Sequence, residues 1–424
     1  SNSKIDFKNL FFENTNLEIN IEQVSNDTYL KKFQPSSILI DNTNLMHSFL
    51  KMNGNSENTS LSVEFEVFED LTKSNSDRYE FIYPNINFYK IFVDENIPGS
   101  FDLHSSFYQN QFDTNKYTKS LSTDLMYNAE TKFSKFGMAK DFQILLKNPN
   151  TINKTGSNNE SDTDTKLLTK LKYSLSYPLI KEGRVYDKLL KPSLSLRFSP
   201  NNTKNMTNDD RVMNINNINS FNRVSTGDGI EGGQSLTAGI DYKFQNKSGI
   251  DKLSLNLAQV YRDKENPDLP KNSSLNNKYS DIIGSIKFNL FDNLNFDYDF
   301  IGDNNLNRIN YSSLNATIKV NNFITNFQYL EERGDIGTKD YIKNQTKYSF
   351  DENNSISFST RENRELDMTE FYNLVYQYEN DCLKAAIEYN KSFYSDNDLK
   401  PGEELLFTLT IVPFSKISSL NFGE

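Results

Sequence analysis

The chain is 424 residues long, 36% hydrophobic and 13% aromatic, with a mean hydropathy of −0.67 and a net charge of −11. The negative surplus makes nucleic acid a poor partner, and no window approaches the ~18–20 consecutive apolar residues of a membrane helix. These averages remain compatible with a transmembrane β-barrel, in which lipid-facing and lumen-facing residues alternate and cancel.

The first residues, SNSKIDFKNLFFENTN, lack the cationic start and apolar core of a signal peptide. They fit either a cytosolic chain or a mature or truncated product. Period-two alternation then recurs along the sequence. In 60–68, Leu61, Val63, Phe65 and Val67 oppose Ser62, Glu64 and Glu66. In 167–177, Leu171, Tyr173 and Leu175 oppose Lys170, Lys172 and Ser174. In 282–290, Ile286 and Phe288 oppose Ser285 and Lys287; in 294–300, Phe296 and Tyr298 oppose Asp297 and Asp299. Residues 372–394 carry two alternating arms around Asn380-Asp381, the pattern of a β-hairpin. In 405–411, Leu405, Phe407, Leu409 and Ile411 oppose Thr408 and Thr410. No segment has helical periodicity, and the pattern predicts about 22 strands.

The connections alternate in length. Short turns fall at 246–251, Asp292-Asn293, Asn321-Asn322, 351–354 and Asn380-Asp381. Longer polar links fall at 148–165, 199–233, 263–280, 302–308, 332–340, 362–369 and 395–403. Two rims facing different media explain this; a soluble sandwich does not. Ten residues at ~3.4 Å, tilted by ~45°, rise about 24 Å, close to the ~25 Å apolar band of an outer-membrane barrel. The expected fold is therefore an all-β, antiparallel transmembrane barrel of the outer-membrane type. Phe65, Leu175, Phe288, Phe296, Tyr376 and Phe407 would face lipid. Glu64, Lys172, Lys287 and Asp297 would face a water-filled lumen.

Candidate chemistry is sparse. GDGIEG (227–232) matches G-x-G-x-x-G, but it lacks the strand before and the helix after that a dinucleotide site needs, so it reads as a glycine-rich loop entering a strand. The two histidines and single cysteine supply no zinc-type cluster. Asp102, His104 and Ser106 share one strand face, where a nucleophile would have to come from a neighbouring strand; His104 reads as a lumen residue. The acidic stretches 160–164 and 396–398 lack a full calcium-loop pattern and read as solvated. No enzyme activity, cofactor or metal is expected. Cys382 has no cysteine partner within the chain.

The C-terminal block 371–414, FYNLVYQYENDCLKAAIEYNKSFYSDNDLKPGEELLFTLTIVPF, resembles the end of the LptD family of outer-membrane lipopolysaccharide translocons. KPSLSLRFSPN (191–201) and NSFNRVSTGDGIEGGQSLTAGIDYKF (219–244) resemble barrel segments of that family, as do NDTYLKKF (26–33) and FEDLTKSNSDRYEFIYPNINFY (68–89). The resemblance implies a Gram-negative outer-membrane barrel of about 26 strands. An LptE-like lipoprotein would fill its lumen, and a periplasmic jelly-roll domain would feed it, with an LptA-like bridge upstream. Lipopolysaccharide would leave through a lateral seam between first and last strands into the surrounding outer-membrane lipids. On this reading residues 1–424 are the C-terminal barrel portion, with the jelly-roll domain and first strands absent. The last strand, with Leu405, Phe407, Leu409, Ile411 and Pro413, would border the seam. Pro413 departs from a regular ladder because it removes a donor. The resemblance also implies that Cys382 is bridged to the periplasmic domain. The alternative is a general outer-membrane porin or passive channel, since a complete 22-strand barrel would also have an even count. A TonB-dependent receptor would require an N-terminal plug, and a soluble β-protein would require a folded apolar interior.

Overall fold

In a computed structural model the chain is described at residues 2–7, 12–27, 44–113, 116–154, 161–207, 211–223, 229–291, 293–393 and 401–411. These form one antiparallel sheet of 24 strands, with two short 3-10 turns and no α-helix among the described residues. In chain order the strands are β1 (Asn2–Phe7), β2 (Asn14–Asn20), β3 (Leu45–Ser56), β4 (Thr59–Asp70), β5 (Tyr79–Asp94) and β6 (Ile97–Phe112). Then come β7 (Lys116–Ala129), β8 (Lys132–Phe133), β9 (Ala139–Lys154), β10 (Asp162–Thr165), β11 (Leu168–Ser176) and β12 (Leu179–Lys181). They continue with β13 (Tyr186–Ser199), β14 (Gly233–Asn246), β15 (Asp251–Arg262), β16 (Ile282–Phe291), β17 (Leu294–Gly302) and β18 (Ile309–Val320). The last are β19 (Phe323–Glu332), β20 (Asp340–Ser349), β21 (Asn354–Asn363), β22 (Met368–Glu379), β23 (Leu383–Ser392) and β24 (Gly402–Ile411). β8 continues β7 along β9, while β10 and β12 extend β11 along β9 and β13. Among the described residues the wall therefore has 21 staves.

Each stave pairs with its sequence neighbour, because short hairpins leave a strand nowhere else to go. One predicted link is corrected. Most of 148–165 is ladder, since β9 runs to Lys154 and β10 begins at Asp162; only 155–160 lie outside the described residues. Asp292, Pro413, most of the 395–403 link and most of 26–33 also lie outside them. Antiparallel order places the short turns 247–250, 321–322, 350–353 and 380–382 on one rim, here called rim A. The links 200–232, 263–281, 303–308 and 333–339 lie on the opposite rim B.

The two faces invert the soluble pattern. On β13 Leu194, Leu196 and Phe198 are exposed, whereas Ser195, Arg197 and Ser199 between them are buried. On β15 Leu255, Leu257 and Tyr261 are exposed, whereas Ser254, Ala258, Val260 and Arg262 are buried. Exposed apolar residues at strand period mark the face that meets hydrocarbon. Phe65, Tyr376 and Phe407 are likewise exposed, and Phe288 stands in register with Leu253 and Phe296, on the face of exposed Leu255 and Leu257.

The interior near rim B is not the water-filled space that alternation alone predicts. Met206, Met213 and Ile218 from 200–232 pack with Leu269 and Leu275 from 263–281 on Ala258, Val260, Ile283 and Ile301 of the wall. The two links are also stitched by Met206 N–H to the Asp268 carbonyl at 2.7 Å. Polar links thus supply the minority of apolar residues that make a dry core.

An arginine in place of Leu257, at the middle of β15 on the outer face, should cost about 2–4 kcal/mol of barrel stability at mid-bilayer. The same change at Asn256, one residue along and facing the inner cavity, should cost far less. Urea unfolding in lipid vesicles measures both, and equal losses would contradict the face assignment.

Candidate functional site

The inner face of β11, β13, β14 and β15 carries a row of residues in direct register. Lys172 pairs with Arg197, Arg197 with Ser235, and Ser235 with Arg262. Because the strand period is two, all four side chains share one face. Described residues 218–223 and 229–232 of the 200–232 link lie over this row. Lys172 Nζ donates to the Asn219 carbonyl at 2.7 Å. Arg197 Nη2 donates to the carbonyls of Ile218 (3.3 Å) and Ser220 (3.0 Å), and its Nη1 to Thr237 Oγ1 at 2.7 Å.

Glu231 is the acidic centre. Arg223 donates to it through Nη2 and through Nε at 3.0 Å, and Arg262 Nη1 at 2.5 Å. Lys170 Nζ stands 3.6 Å from Glu231 Oε2 and 5.5 Å from the Phe221 ring centre. Arg262 Nη2 also reaches the Gly232 carbonyl at 2.6 Å, and Arg223 Nη2 reaches Ser235 Oγ at 2.8 Å. Lys170, Arg197, Arg223, Glu231 and Arg262 are all buried. Burial by itself pushes the Glu231 carboxyl up; the neighbouring charges of Arg223, then Lys170 and Arg262, outweigh it and hold the group well below the usual carboxylate range. Its contribution to folding is therefore present above the unfolded value near ~4.3 and is lost as pH falls through the lowered folded value.

Glycine lets the segment come this close. A Cβ on Gly232 would meet the Asn201 carbonyl oxygen at 2.3 Å, and Gly233 holds a φ of +82° that L side chains rarely adopt. Gly229, Gly232 and Gly233 lead straight into β14, as expected for a glycine-rich loop; Gly227 lies outside the described residues.

The expected lumen residues sit apart on the wall. Glu64 on β4 pairs with Lys51 at 3.4 Å and borders a cavity of about 780 Å³ whose other side is Phe221 and Asn222. His104 and Asp102 border the same cavity. Lys287 and Asp297 are register partners on β16 and β17 and border a second cavity of about 530 Å³, with Ile215, Asn216 and Asn219 opposite. Lys172, on β11, contacts the segment directly. Cys382 lies in the rim A turn, its N–H held by Asn380 Oδ1 at 3.0 Å. Leu405, Phe407 and Leu409 are exposed along β24, whose Ile411 closes the described strand. Among the described residues, no group of His, Cys, Asp and Glu has the arrangement of a metal site.

A family model described as LPS transport system D matches residues 6–370. The chain belongs to the LptD family. LptD proteins transport lipopolysaccharide, which points to the Gram-negative outer membrane and displaces the porin reading. No curated protein matches the chain in sequence. Solved structures similar to it include a mutant porin of Rh. blastica, at 12% identity over 65% of this chain and 86% of that one, TM-score 0.28. The siderophore receptor PirA from Acinetobacter baumannii is 9% identical over 86% and 70% of the two chains, TM-score 0.40. The ferric enterobactin receptor PfeA is 8% identical over 82% and 66%, TM-score 0.39. At these scores the likenesses carry no argument; the family match decides.

The LptD match includes 191–201 and 219–244 and ends before 371–414. Those two included blocks contain Arg197, Arg223, Glu231, Ser235 and Thr237, and the fold brings them together. Sequence reading singled out none of the cluster's arginines or Glu231. The available signal was the charged residues inside the two LptD-like blocks, Arg197 at an inward position of a strand and Arg223 and Glu231 either side of the glycines.

Replacing Glu231 with Gln leaves buried cations without their counter-charge, a loss of about 3–5 kcal/mol. Limited trypsin treatment of the folded variant should then cut after Arg223 at neutral pH, where the parent protein resists. Equal resistance would show that the cluster does not hold the segment.

Proposed function

We propose that this LptD-family chain forms the C-terminal part of the translocon barrel and releases lipopolysaccharide into the outer leaflet through a lateral seam bordered by β24. The observation that carries this reading is the state of the two sheet edges. β1 pairs with β2 and β24 pairs with β23, and among the described residues β1 and β24 do not pair with each other. β24 also carries exposed Leu405, Phe407 and Leu409. An edge in hydrocarbon leaves N–H and C=O groups unsatisfied at several kcal/mol each, so β24 needs a strand beside it. A seam zipped by that one ladder is the weakest line in the wall and the cheapest to open.

In this reading a jelly-roll domain and the first barrel strands precede residues 1–424. An LptE-like lipoprotein occupies the lumen from rim A, and an LptA-like bridge delivers lipopolysaccharide to the jelly-roll domain. Rim A faces the periplasm, and Cys382 is bridged to a cysteine outside 1–424.

In the full-length protein, paired cysteines replacing Thr408 on β24 and a residue on the strand facing it should lock the seam when oxidised. Lipopolysaccharide delivery to the surface should stop while the barrel stays heat-stable. Delivery at the normal rate with the lock closed would move the exit elsewhere.

A membrane-impermeant maleimide added to intact cells should label a cysteine substituted for Asn305, on exposed rim B, and leave Cys382 unlabelled. After permeabilisation Cys382 should label only once reduced. Labelling of Cys382 in intact, reduced cells would invert the sidedness.

A further inference from the structure

The wall beneath the 200–232 segment holds more positive charge than its partners balance. Lys170, Arg197 and Arg262 of the wall and Arg223 of the segment act on the carboxylate of Glu231, with Lys172 beside Arg197. Among the described residues, Asp141 acts on Lys172 and Asp263 on Arg262, and the cations counted there still outnumber the carboxylates. Lys172 stands directly opposite Arg197 across two paired strands, an arrangement that destabilises a sheet unless something negative lies over it.

Among the described residues, what lies over Lys172 and Arg197 is neutral. Lys172 and Arg197 donate to the backbone carbonyls of 218–220, and one arm of Arg262 to that of Gly232. Among the described residues, Arg197 Nε and Arg262 Nε meet no hydrogen-bond acceptor and Lys170 Nζ only the Glu231 carboxylate at 3.6 Å, although all three side chains are buried. Unmet charged donors in a dry site are costly. Carbonyl oxygens are weaker acceptors for guanidinium and ammonium groups than phosphate oxygens, which Arg binds bidentately. Space for a ligand adjoins the row. Phe221, stacked over Lys170, forms one wall of the 780 Å³ cavity, and Leu145, the register partner of Lys170, lines it too.

We propose that Lys170, Lys172, Arg197 and Arg262 form a phosphate-binding site on the lumen wall, with the 218–221 stretch as its displaceable cover. The ligand is a phosphate monoester or diphosphate; resting on the transport reading above, it is the phosphorylated part of lipopolysaccharide. Phosphate oxygens take the places of the 218–220 carbonyls, Phe221 moves off Lys170, and 218–221 lifts from the wall. Substrate would thereby open the inner cover that excludes it.

The test uses the full-length protein in detergent with its lipoprotein partner and three probes: lipopolysaccharide, the same lipopolysaccharide stripped of phosphate, and inorganic pyrophosphate. Binding and trypsin cleavage after Arg223 are read in parallel. Intact lipopolysaccharide should bind about ten- to a hundredfold more tightly than the stripped form, the size of a lost charge-assisted interaction, and it alone of the two should expose Arg223. Lys172→Gln, at the half-buried end of the row, should remove that preference. Lys287→Gln, a lumen cation elsewhere, should keep it, and thermal unfolding checks that both variants are folded. Equal binding of intact and stripped lipopolysaccharide, or equal effects of the two substitutions, overturns the site and leaves transport standing. Exposure of Arg223 by pyrophosphate with no binding of either lipopolysaccharide supports the anion site and overturns its assignment to lipopolysaccharide. Failure of all three probes to bind overturns the site.

Discussion

A strand inside hydrocarbon has no water to satisfy its backbone, so every N–H and C=O must find a partner in the next strand. That constraint organises the molecule. It explains why the ladders run to 14 register pairs between β13 and β14. It also explains why interrupted staves resume on the same partner, as β11 does through β10 and β12. The alternative to a neighbour is an unpaid polar group in lipid. Among the described residues, β1 pairs only with β2 and β24 only with β23.

Once the backbone is fixed by its neighbours, the two faces are free to do different work. The outer face needs only apolar bulk, and Leu194, Leu196, Leu255 and Leu257 provide it. The inner face can hold charges that an ordinary core would exclude. In most large barrels such charges face water. Here two rim B links fold inward and dry part of the interior, with Met213, Ile218, Leu269 and Leu275 packing on apolar wall positions. The result is a small core of soluble type inside a membrane wall.

The charged cluster is the other half of that interior. Desolvating several cations and a carboxylate is expensive, and well-packed apolar residues would fill the same volume at less cost. What the charges supply is position: Glu231 accepts from Arg223, on its own segment, and from Arg262, on the wall, which sets where 200–232 lies. Neutral carbonyls at 218–220 complete the contact, so the segment is held by bonds that a stronger acceptor can replace.

The sequence by itself determined the sheet. Alternation such as Leu171, Tyr173, Leu175 against Lys170, Lys172, Ser174 depends only on the period of an extended chain, and short turns such as Asn321-Asn322 depend only on their own residues. Both are local, so both were legible, as was membership of the LptD family from its blocks. The 148–165 stretch was misread because KNPNTINKTGSNNESDTD is polar enough for a loop, while pairing with β7 and β11 carries it as strand. The burial of Met206, Met213 and Ile218 in the 200–232 link was equally hidden. Met206, Met213 and Ile218 are scattered without period among asparagines, and nothing local tells an exposed link from one folded inward. Arg197, Arg223, Glu231 and Arg262 are spread over 66 positions of the chain, and only strand register and the path of one segment bring them within hydrogen-bond reach. Contacts between residues far apart in sequence are set by packing, and packing is what tertiary structure alone decides.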